Sequence, residues 1–233
     1  MNNKQNDIEI IPVSHASIIL NWDGTTIYAD PSMYKVNKTN VFADKPAPDI
    51  ILFTDIHQDH FDIETLKMVS QEKTVIIAPK AVADEISAKI PKEFAKVFVM
   101  NNSETANHIG FKIMTIPMYN IPESAAAYHT KGRGNGYIIE KNNEHVYISG
   151  DTSNIPEMRN LKNIDLAFIA MNLPYTMSVE EAAQAVLAFK PKKVYPYHYR
   201  TPEGFSDIAL FKKLVNKTDP EIEVVRLEWY PKQ

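Results

Sequence analysis

The chain has no cysteine among its 233 residues, which excludes disulfide bonds, thiolate metal ligands and a cysteine nucleophile. It also lacks a basic excess, since 25 lysines and arginines stand against 29 aspartates and glutamates and give a net charge of −4. Proteins that bind nucleic acid usually carry a surplus of positive charge. A nucleic-acid partner is therefore not expected.

Long apolar runs are absent as well. No segment approaches the roughly 18 apolar residues that a membrane-spanning helix requires, and the N-terminal sequence MNNKQNDIEIIPV has no apolar core of secretion-signal length. The sequence therefore favours a cytoplasmic protein without a membrane span. An exported protein whose signal had been removed would give the same pattern.

The chain has no serine- or glycine-rich linker and no low-complexity tract, so we predict a single domain over residues 1–233. In each half, short β-like runs and hairpin signals come first and strand–helix pairs follow. This order predicts an α/β (α+β) protein with two mixed sheets packed face to face and helices on the outer faces. The local signals are hairpin turns at Asp23-Gly24 and Asn142-Asn143, a helix N-cap at Ser178, a helix over about 206–215 and a last strand over 221–229.

One segment, FTDIHQDHFD at residues 53–62, gathers acids and imidazoles directly after an apolar run. Its potential metal donors are Asp55, His57, Asp59 and His60, and histidine and aspartate are the ligands of a divalent metal site in a chain without cysteine. A tight turn would let these donors face two metal ions roughly 3.5–4 Å apart. The alternative is a solvated acidic turn with incidental histidines.

Other acids and imidazoles also stand at the ends of apolar runs, which is where a scaffold carries a site built from loops. The residues concerned are His15, Asp30, His129, Asp151 and His198.

The order of His15, DIHQDH, GDT at 150–152 and PYHY at 196–199 resembles the metallo-β-lactamase fold superfamily. It is most similar to the branch of small bacterial metal-dependent hydrolases that includes the ascorbate-6-phosphate lactonase type. The resemblance implies a four-layer αβ/βα sandwich and one or two divalent metal ions. It further implies a metal-bound hydroxide that attacks an ester, lactone or phosphodiester of a small substrate. The metal ligands that it implies are Asp55, His57, Asp59, His60, Asn120, Asp151 and His198.

Two of these positions depart from the family pattern, because Asp55 and Asn120 stand where the family has histidines. Oxygen donors suit harder ions, so we expect the first metal to be weaker, harder or absent. Zinc is the first expectation for the bound metal, and manganese and iron are the alternatives. A degenerate, inactive site is a further alternative.

Catalytic roles are expected for Asp59, Asp151 and His129. His129 has three open interpretations: it replaces the donor missing at Asn120, contacts substrate, or is structural. His15 is expected beside the ligands or in the substrate pocket. Asp30 and Asp62 are candidates to hydrogen-bond a ligating histidine.

The substrate is expected to be a small molecule with a phosphate or carboxylate group. The segment KGRGNG at 131–136 reads as a glycine-rich turn whose backbone N–H groups and side chains could bind such an anion; a solvated hairpin entry is the alternative. The candidate substrate residues are His15, Lys131, Arg133, Tyr175 and Arg200. Two rival functions are a redox metal protein and a non-catalytic metal-binding module on the same fold, and homo-oligomerisation is left open.

Overall fold

The computed structural model describes residues 8–34, 36, 40–91 and 96–230. It divides the chain into two compact units, Met1–Val99 with Trp229–Gln233 and Met100–Glu228. The sequence expectation of one domain over 1–233 stays a prediction. The residues on which the absence of a secretion signal was argued lie partly outside the described ranges.

The first unit contains a six-stranded sheet in which chain order and sheet order coincide, β1 to β6. The first three strands form an antiparallel meander, and the remaining strands pair in parallel. The turn at Asp23-Gly24 has φ of 51° and 74°, the left-handed conformation that tight hairpins require. The elements are β1 Glu9–Ser14, β2 Ser17–Trp22, β3 Thr25–Ala29, β4 Ile50–Leu52, α1 Ile63–Val69, β5 Val75–Ala78, α2 Lys80–Lys89 and β6 Lys96–Val99.

The parallel strands at the centre of this unit, β4 and β5, are apolar throughout, because they are covered rather than alternately exposed. Ile51 of β4 and Ile76 of β5 share one buried cluster with Leu66 of α1 and Val82 of α2. The packing of this cluster fixes the position of the end of β4, and the DIHQDH segment follows that end.

The second unit contains a seven-stranded sheet in the order β15-β12-β11-β10-β9-β8-β7. Four antiparallel strands come first, and β10, β11, β12 and β15 then pair in parallel. The elements are β7 Thr105–His108, β8 Phe111–Met118, β9 Gly134–Lys141, β10 Glu144–Ile148, α3 Pro156–Arg159, β11 Leu166–Ala170, α4 Val179–Phe189, β12 Lys193–Tyr197, β13 Arg200–Thr201, β14 Gly204–Phe205, α5 Ile208–Thr218 and β15 Glu223–Val224.

The structure confirms the predicted fold class, a mixed α/β protein with two large mixed sheets. It also has the predicted hairpin at Asn142-Asn143, with φ of 53° and 63°, and the capping box between Ser178 and Glu181. Among the described residues, no helix has the length and apolarity that a membrane crossing requires.

Two local predictions were wrong, and the last predicted helix is present with different bounds, Ile208–Thr218. The last strand covers only Glu223–Val224 and not 221–229. The final helix begins at Ile208, because the Asp207 side chain caps it by accepting a hydrogen bond from the Leu210 N–H. Gly134 and Gly136 lie inside β9 and not in a turn, so the KGRGNG segment is a turn only in its first half.

Candidate metal centre

The DIHQDH segment is held at both ends by aromatic side chains of the first unit's core. Phe53 and Phe61 are buried, and their ring centroids lie 5.1 Å apart. Within the segment, the N–H groups of His60 and Phe61 both donate to the His57 carbonyl oxygen, at 2.9 and 2.8 Å. These two hydrogen bonds make the segment a tight turn.

His60 is fixed by the carboxylate of Asp30, which follows β3. The His60 ring Nδ1 lies 2.8 Å from Asp30 Oδ2, and Asp30 Oδ1 accepts a 2.7 Å hydrogen bond from the Thr54 N–H. Burial raises the pKa of Asp30, while the neighbouring His60 and the hydrogen bonds from Thr54 oppose that rise. A carboxylate on one ring nitrogen is the arrangement that orients a histidine to bind metal through the other.

Asp62 was the second candidate for this orienting role. Its side chain instead caps helix α1, accepting hydrogen bonds from the Glu64 N–H and the Thr65 hydroxyl. Of the two sequence candidates, Asp30 therefore orients a candidate ligand and Asp62 has a structural role.

Asp55 and His57 form a close pair of donors. Asp55 Oδ2 lies 2.6 Å from His57 Nδ1, with the Asp55 side chain buried and the His57 side chain 41% exposed. An anionic oxygen and an imidazole nitrogen placed together in this way can converge on a divalent cation.

Asp59 contacts His15, which makes His15 a neighbour of a candidate ligand. His15 Nε2 lies 3.2 Å from Asp59 Oδ2, and His15 Nδ1 lies 2.7 Å from the Tyr230 hydroxyl. Sequence reasoning missed Tyr230, because it is 215 positions from His15 and stands in a segment without a motif.

In the second unit, three candidate residues lie together, namely Asp151, His129 and His198. Asp151 follows β10 and His198 follows β12, and the carboxyl ends of parallel strands meet at one edge of a sheet. The two Asp151 carboxylate oxygens lie 3.3 Å from His129 Nε2 and 3.5 Å from His198 Nε2. All three side chains are buried. The Tyr197 hydroxyl supports this edge by accepting a 3.0 Å hydrogen bond from the Gly150 N–H.

The Asn120 side chain is hydrogen-bonded to backbone groups, whereas the sequence analysis places it among the metal ligands. Its Oδ1 accepts a 2.8 Å hydrogen bond from the His129 N–H, and its Nδ2 donates to the Tyr175 carbonyl oxygen at 2.9 Å. Its own N–H donates to the His129 carbonyl oxygen. Asn120 therefore clamps the base of the loop 121–128, and His129, at the end of that loop, brings an imidazole to Asp151.

The candidate substrate cations differ in their surroundings. Lys131 Nζ lies 2.9 Å from Glu157 Oε1, and the hydrogen bond to Glu157 raises the pKa of Lys131 to about 12. Arg133 Nη2 donates to the Tyr128 carbonyl oxygen at 2.6 Å. Arg200 lies on β13, with its guanidinium carbon 5.8 Å from the centre of the Phe205 ring. The positive charge of Lys131 is therefore paired with Glu157, a residue that was not among the candidates from the sequence.

The donor set in each unit fits a divalent metal. The first unit offers Asp55, His57, Asp59 and His60, and the second offers His129, Asp151 and His198. Imidazole nitrogen and carboxylate oxygen suit zinc, manganese and iron in proteins. Each Asp151 carboxylate oxygen lies beside one imidazole nitrogen, so these three side chains place potential metal donors together.

Comparisons with known proteins agree with this chemistry. A sequence profile described as the beta-lactamase superfamily domain matches residues 25–199. The chain is 28% identical over 224 residues to a UPF0173 metal-dependent hydrolase of Lysinibacillus sphaericus, in an alignment that covers 92% of this chain and 96% of the relative. It is 33% identical over 172 residues to a UPF0173 metal-dependent hydrolase of Thermococcus onnurineus, in an alignment that covers 72% and 74% of the two chains.

Among solved structures, one match is a protein of Parabacteroides distasonis that is provisionally described as a metal-dependent hydrolase. It has 36% sequence identity and a TM-score of 0.83, and the alignment covers 96% of this chain and 94% of the other.

Proposed function

Because this chain belongs to the beta-lactamase superfamily, we propose that it hydrolyses an ester, lactone or phosphodiester bond of a small anionic substrate with divalent metal ions. The enzyme class predicted from sequence, a metal-dependent hydrolase, agrees with the names of its relatives. The observation that carries the proposal is the buried Asp151 carboxylate between the His129 and His198 imidazoles.

The proposed ligands are seven side chains. The buried pairing of His129 with Asp151 supports His129 as a ligand in place of Asn120, whose amide is bound at both ends by backbone groups. This substitution restores a nitrogen donor, so the ligand set contains four imidazoles and three carboxylates. We propose zinc as the bound metal, with manganese and iron as alternatives. The ligand set is Asp55, His57, Asp59, His60, His129, Asp151 and His198.

A divalent ion supplies Lewis acidity and lowers the pKa of a bound water. Other side chains of this protein hold the proposed ligands in position for that chemistry. Asp30 fixes the His60 ring through its contact with Nδ1. The Tyr230 hydroxyl contacts His15, and His15 in turn contacts the Asp59 carboxylate. Asp59 and Asp151 are carboxylates at the site that can hold the proton of an attacking water.

Arg133 and Arg200 are the proposed contacts of the substrate anion. A guanidinium binds carboxylate or phosphate through paired N–H groups. Lys131 is a weaker candidate, because its ammonium group already pairs with Glu157.

The experiment is to prepare the metal-free protein, load it with zinc, manganese or iron, and assay p-nitrophenyl esters, lactones and bis(p-nitrophenyl) phosphate. We expect turnover in at least one class, a loss of roughly 100-fold or more in His198→Ala, and wild-type activity in His108→Ala. His108 lies on β7, away from Asp151 in the sheet order. Tight metal binding without turnover would contradict the proposal and favour a non-catalytic or redox metal protein.

A further inference from the structure

Large apolar side chains are exposed on two loops of the second unit next to His129. Ile121 and Tyr128 are 50% and 52% exposed at the two ends of the loop 121–128, and Leu173 is 48% exposed in the turn that follows β11. Tyr175, in the same turn as Leu173, is half-buried. We call these four residues the apolar rim.

The two loops form one supported structure. The Tyr175 carbonyl oxygen accepts a hydrogen bond from Asn120 Nδ2 and lies 3.2 Å from His129 Nδ1. The Tyr128 and Tyr175 rings pack edge to face with centroids 4.9 Å apart. The residues that place His129 beside Asp151 therefore also hold the apolar rim.

Single exposed apolar residues are common on protein surfaces, but several that are gathered beside a reactive site mark a binding surface. Near this rim, the Lys131 ammonium group pairs with Glu157, and one N–H group of Arg133 donates to the Tyr128 carbonyl oxygen. The rim therefore offers carbon atoms and aromatic faces to whatever lies beside His129.

We propose that the apolar rim binds an alkyl or aryl group attached directly to the scissile bond of the substrate. The inference rests on the proposed function, and it makes the substrate amphipathic: an anionic group and an apolar group flank the bond that is broken. Burial of one methylene group changes a binding constant by roughly fourfold, and a partly open rim should give roughly two- to fourfold per methylene.

The test compares p-nitrophenyl acetate, butyrate and hexanoate with the zinc-loaded protein. We expect kcat/KM to increase by about two- to fourfold with each added methylene, and Leu173→Ser to flatten that dependence and reduce the hexanoate-to-acetate ratio by about fivefold. The matched control is Ile109→Ser, since Ile109 is 47% exposed in the loop between β7 and β8, and it should keep the wild-type ratio.

Calorimetric binding of 4-phenylbutyrate, compared with acetate, provides a readout that does not need turnover. We expect 4-phenylbutyrate to bind the wild type and the Ile109→Ser control, and to bind Leu173→Ser several-fold more weakly. If 4-phenylbutyrate binds in this way but no ester or phosphodiester is hydrolysed, the result supports binding of an apolar group at the apolar rim and contradicts the proposed hydrolase function.

Two results would overturn the rim. The first is equal kcat/KM for all chain lengths together with no preference for 4-phenylbutyrate over acetate. The second is rim-dependent sedimentation with phosphatidylcholine vesicles that is lost in Leu173→Ser, because the rim would then contact a lipid surface and not the substrate.

Discussion

At the scale of single residues, the pairing of Asp30 with His60 is the clearest case of one side chain preparing another for metal. Replacing Asp30 by Asn keeps the size of the side chain and removes the charge that holds the Nδ1 proton of His60. Changes to such orienting partners typically weaken metal binding by roughly 10- to 100-fold. We expect Asp30→Asn to do so in a competitive zinc titration.

The control is Asp62→Asn, which changes the carboxylate that caps helix α1, two residues after His60. Asparagine also caps helices, so zinc affinity should stay at the wild-type value. Equal zinc affinity in Asp30→Asn and the wild type would show that the Asp30 contact does not orient a ligand.

Asn120 and His129 give a second residue-level prediction. The sequence places Asn120 among the ligands and leaves His129 open, and in the structure the Asn120 amide is hydrogen-bonded to backbone groups. If Asn120 is a clamp and His129 a ligand, His129→Ala should reduce the number of tightly bound metal ions measured by mass spectrometry. Asn120→Ala should retain the metal count and destabilise the loop, at about 1 kcal/mol for each hydrogen bond lost. The reverse pattern of metal counts would restore Asn120 as the ligand.

Asn120 and His129 also show which part of the site could not be predicted from the sequence. Asp151 and His198 follow apolar strands closely, so the local pattern was enough to select them as candidates. His129 follows a loop over residues 121–128, and only the hydrogen bonds between Asn120 and His129 show that the loop closes on itself. Contacts between residues distant in sequence, such as His15 with Tyr230, leave no local signal at all.

At the scale of secondary-structure elements, turns and helix starts were predictable because their chemistry is local. The Asn142-Asn143 turn and the Ser178 capping box depend on a few adjacent residues. The extent of β15 was not predictable in this way, because it depends on pairing with a distant strand. β15 pairs only with Lys193 and Val194 of β12, and the hydrogen bond from the Val225 N–H to the Val194 carbonyl oxygen follows that pairing. The residues beyond it have strand-like sequence but are not part of the sheet.

Gly136 supports a prediction about β9 and β10. A Cβ atom at Gly136 would lie 3.0 Å from the Ser149 carbonyl oxygen and 3.1 Å from that of Ile148. These backbone atoms cannot rotate away, so Gly136→Ala must displace the end of β10, from which Asp151 follows. We expect the free energy of unfolding to fall by about 1–3 kcal/mol and zinc affinity to fall with it.

Gly132→Ala is the comparison, because Gly132 has φ of +90° but a Cβ atom added there would meet open space, with nothing within 4 Å. Backbone strain should cost about 1–2 kcal/mol, without a change in zinc affinity. If Gly136→Ala binds zinc as tightly as the wild type, the spacing of β9 and β10 does not set the position of Asp151.

At the scale of the whole molecule, the proposed ligands are far apart along the chain, four in residues 55–60 and three in residues 129–198. A ligand that binds the folded state stabilises it by about 2.7 kcal/mol at a free concentration of 100 times its Kd. Amide hydrogens whose exposure requires release of the metal should then exchange about 100-fold more slowly. We expect zinc to slow exchange in residues 53–61 and also in 149–153 and 197–199.

The pattern of protection shows which of the proposed ligands bind zinc. Amides of helix α2 and strand β7 carry none of the proposed ligands, and local opening there releases no metal, so their fast exchange should not change. Protection confined to residues 53–61 would mean that Asp151, His129 and His198 do not bind zinc. Protection confined to the second unit would remove the DIHQDH segment from the site. Protection in both sets, lost from both in His198→Ala, is the result that the proposed ligand set predicts.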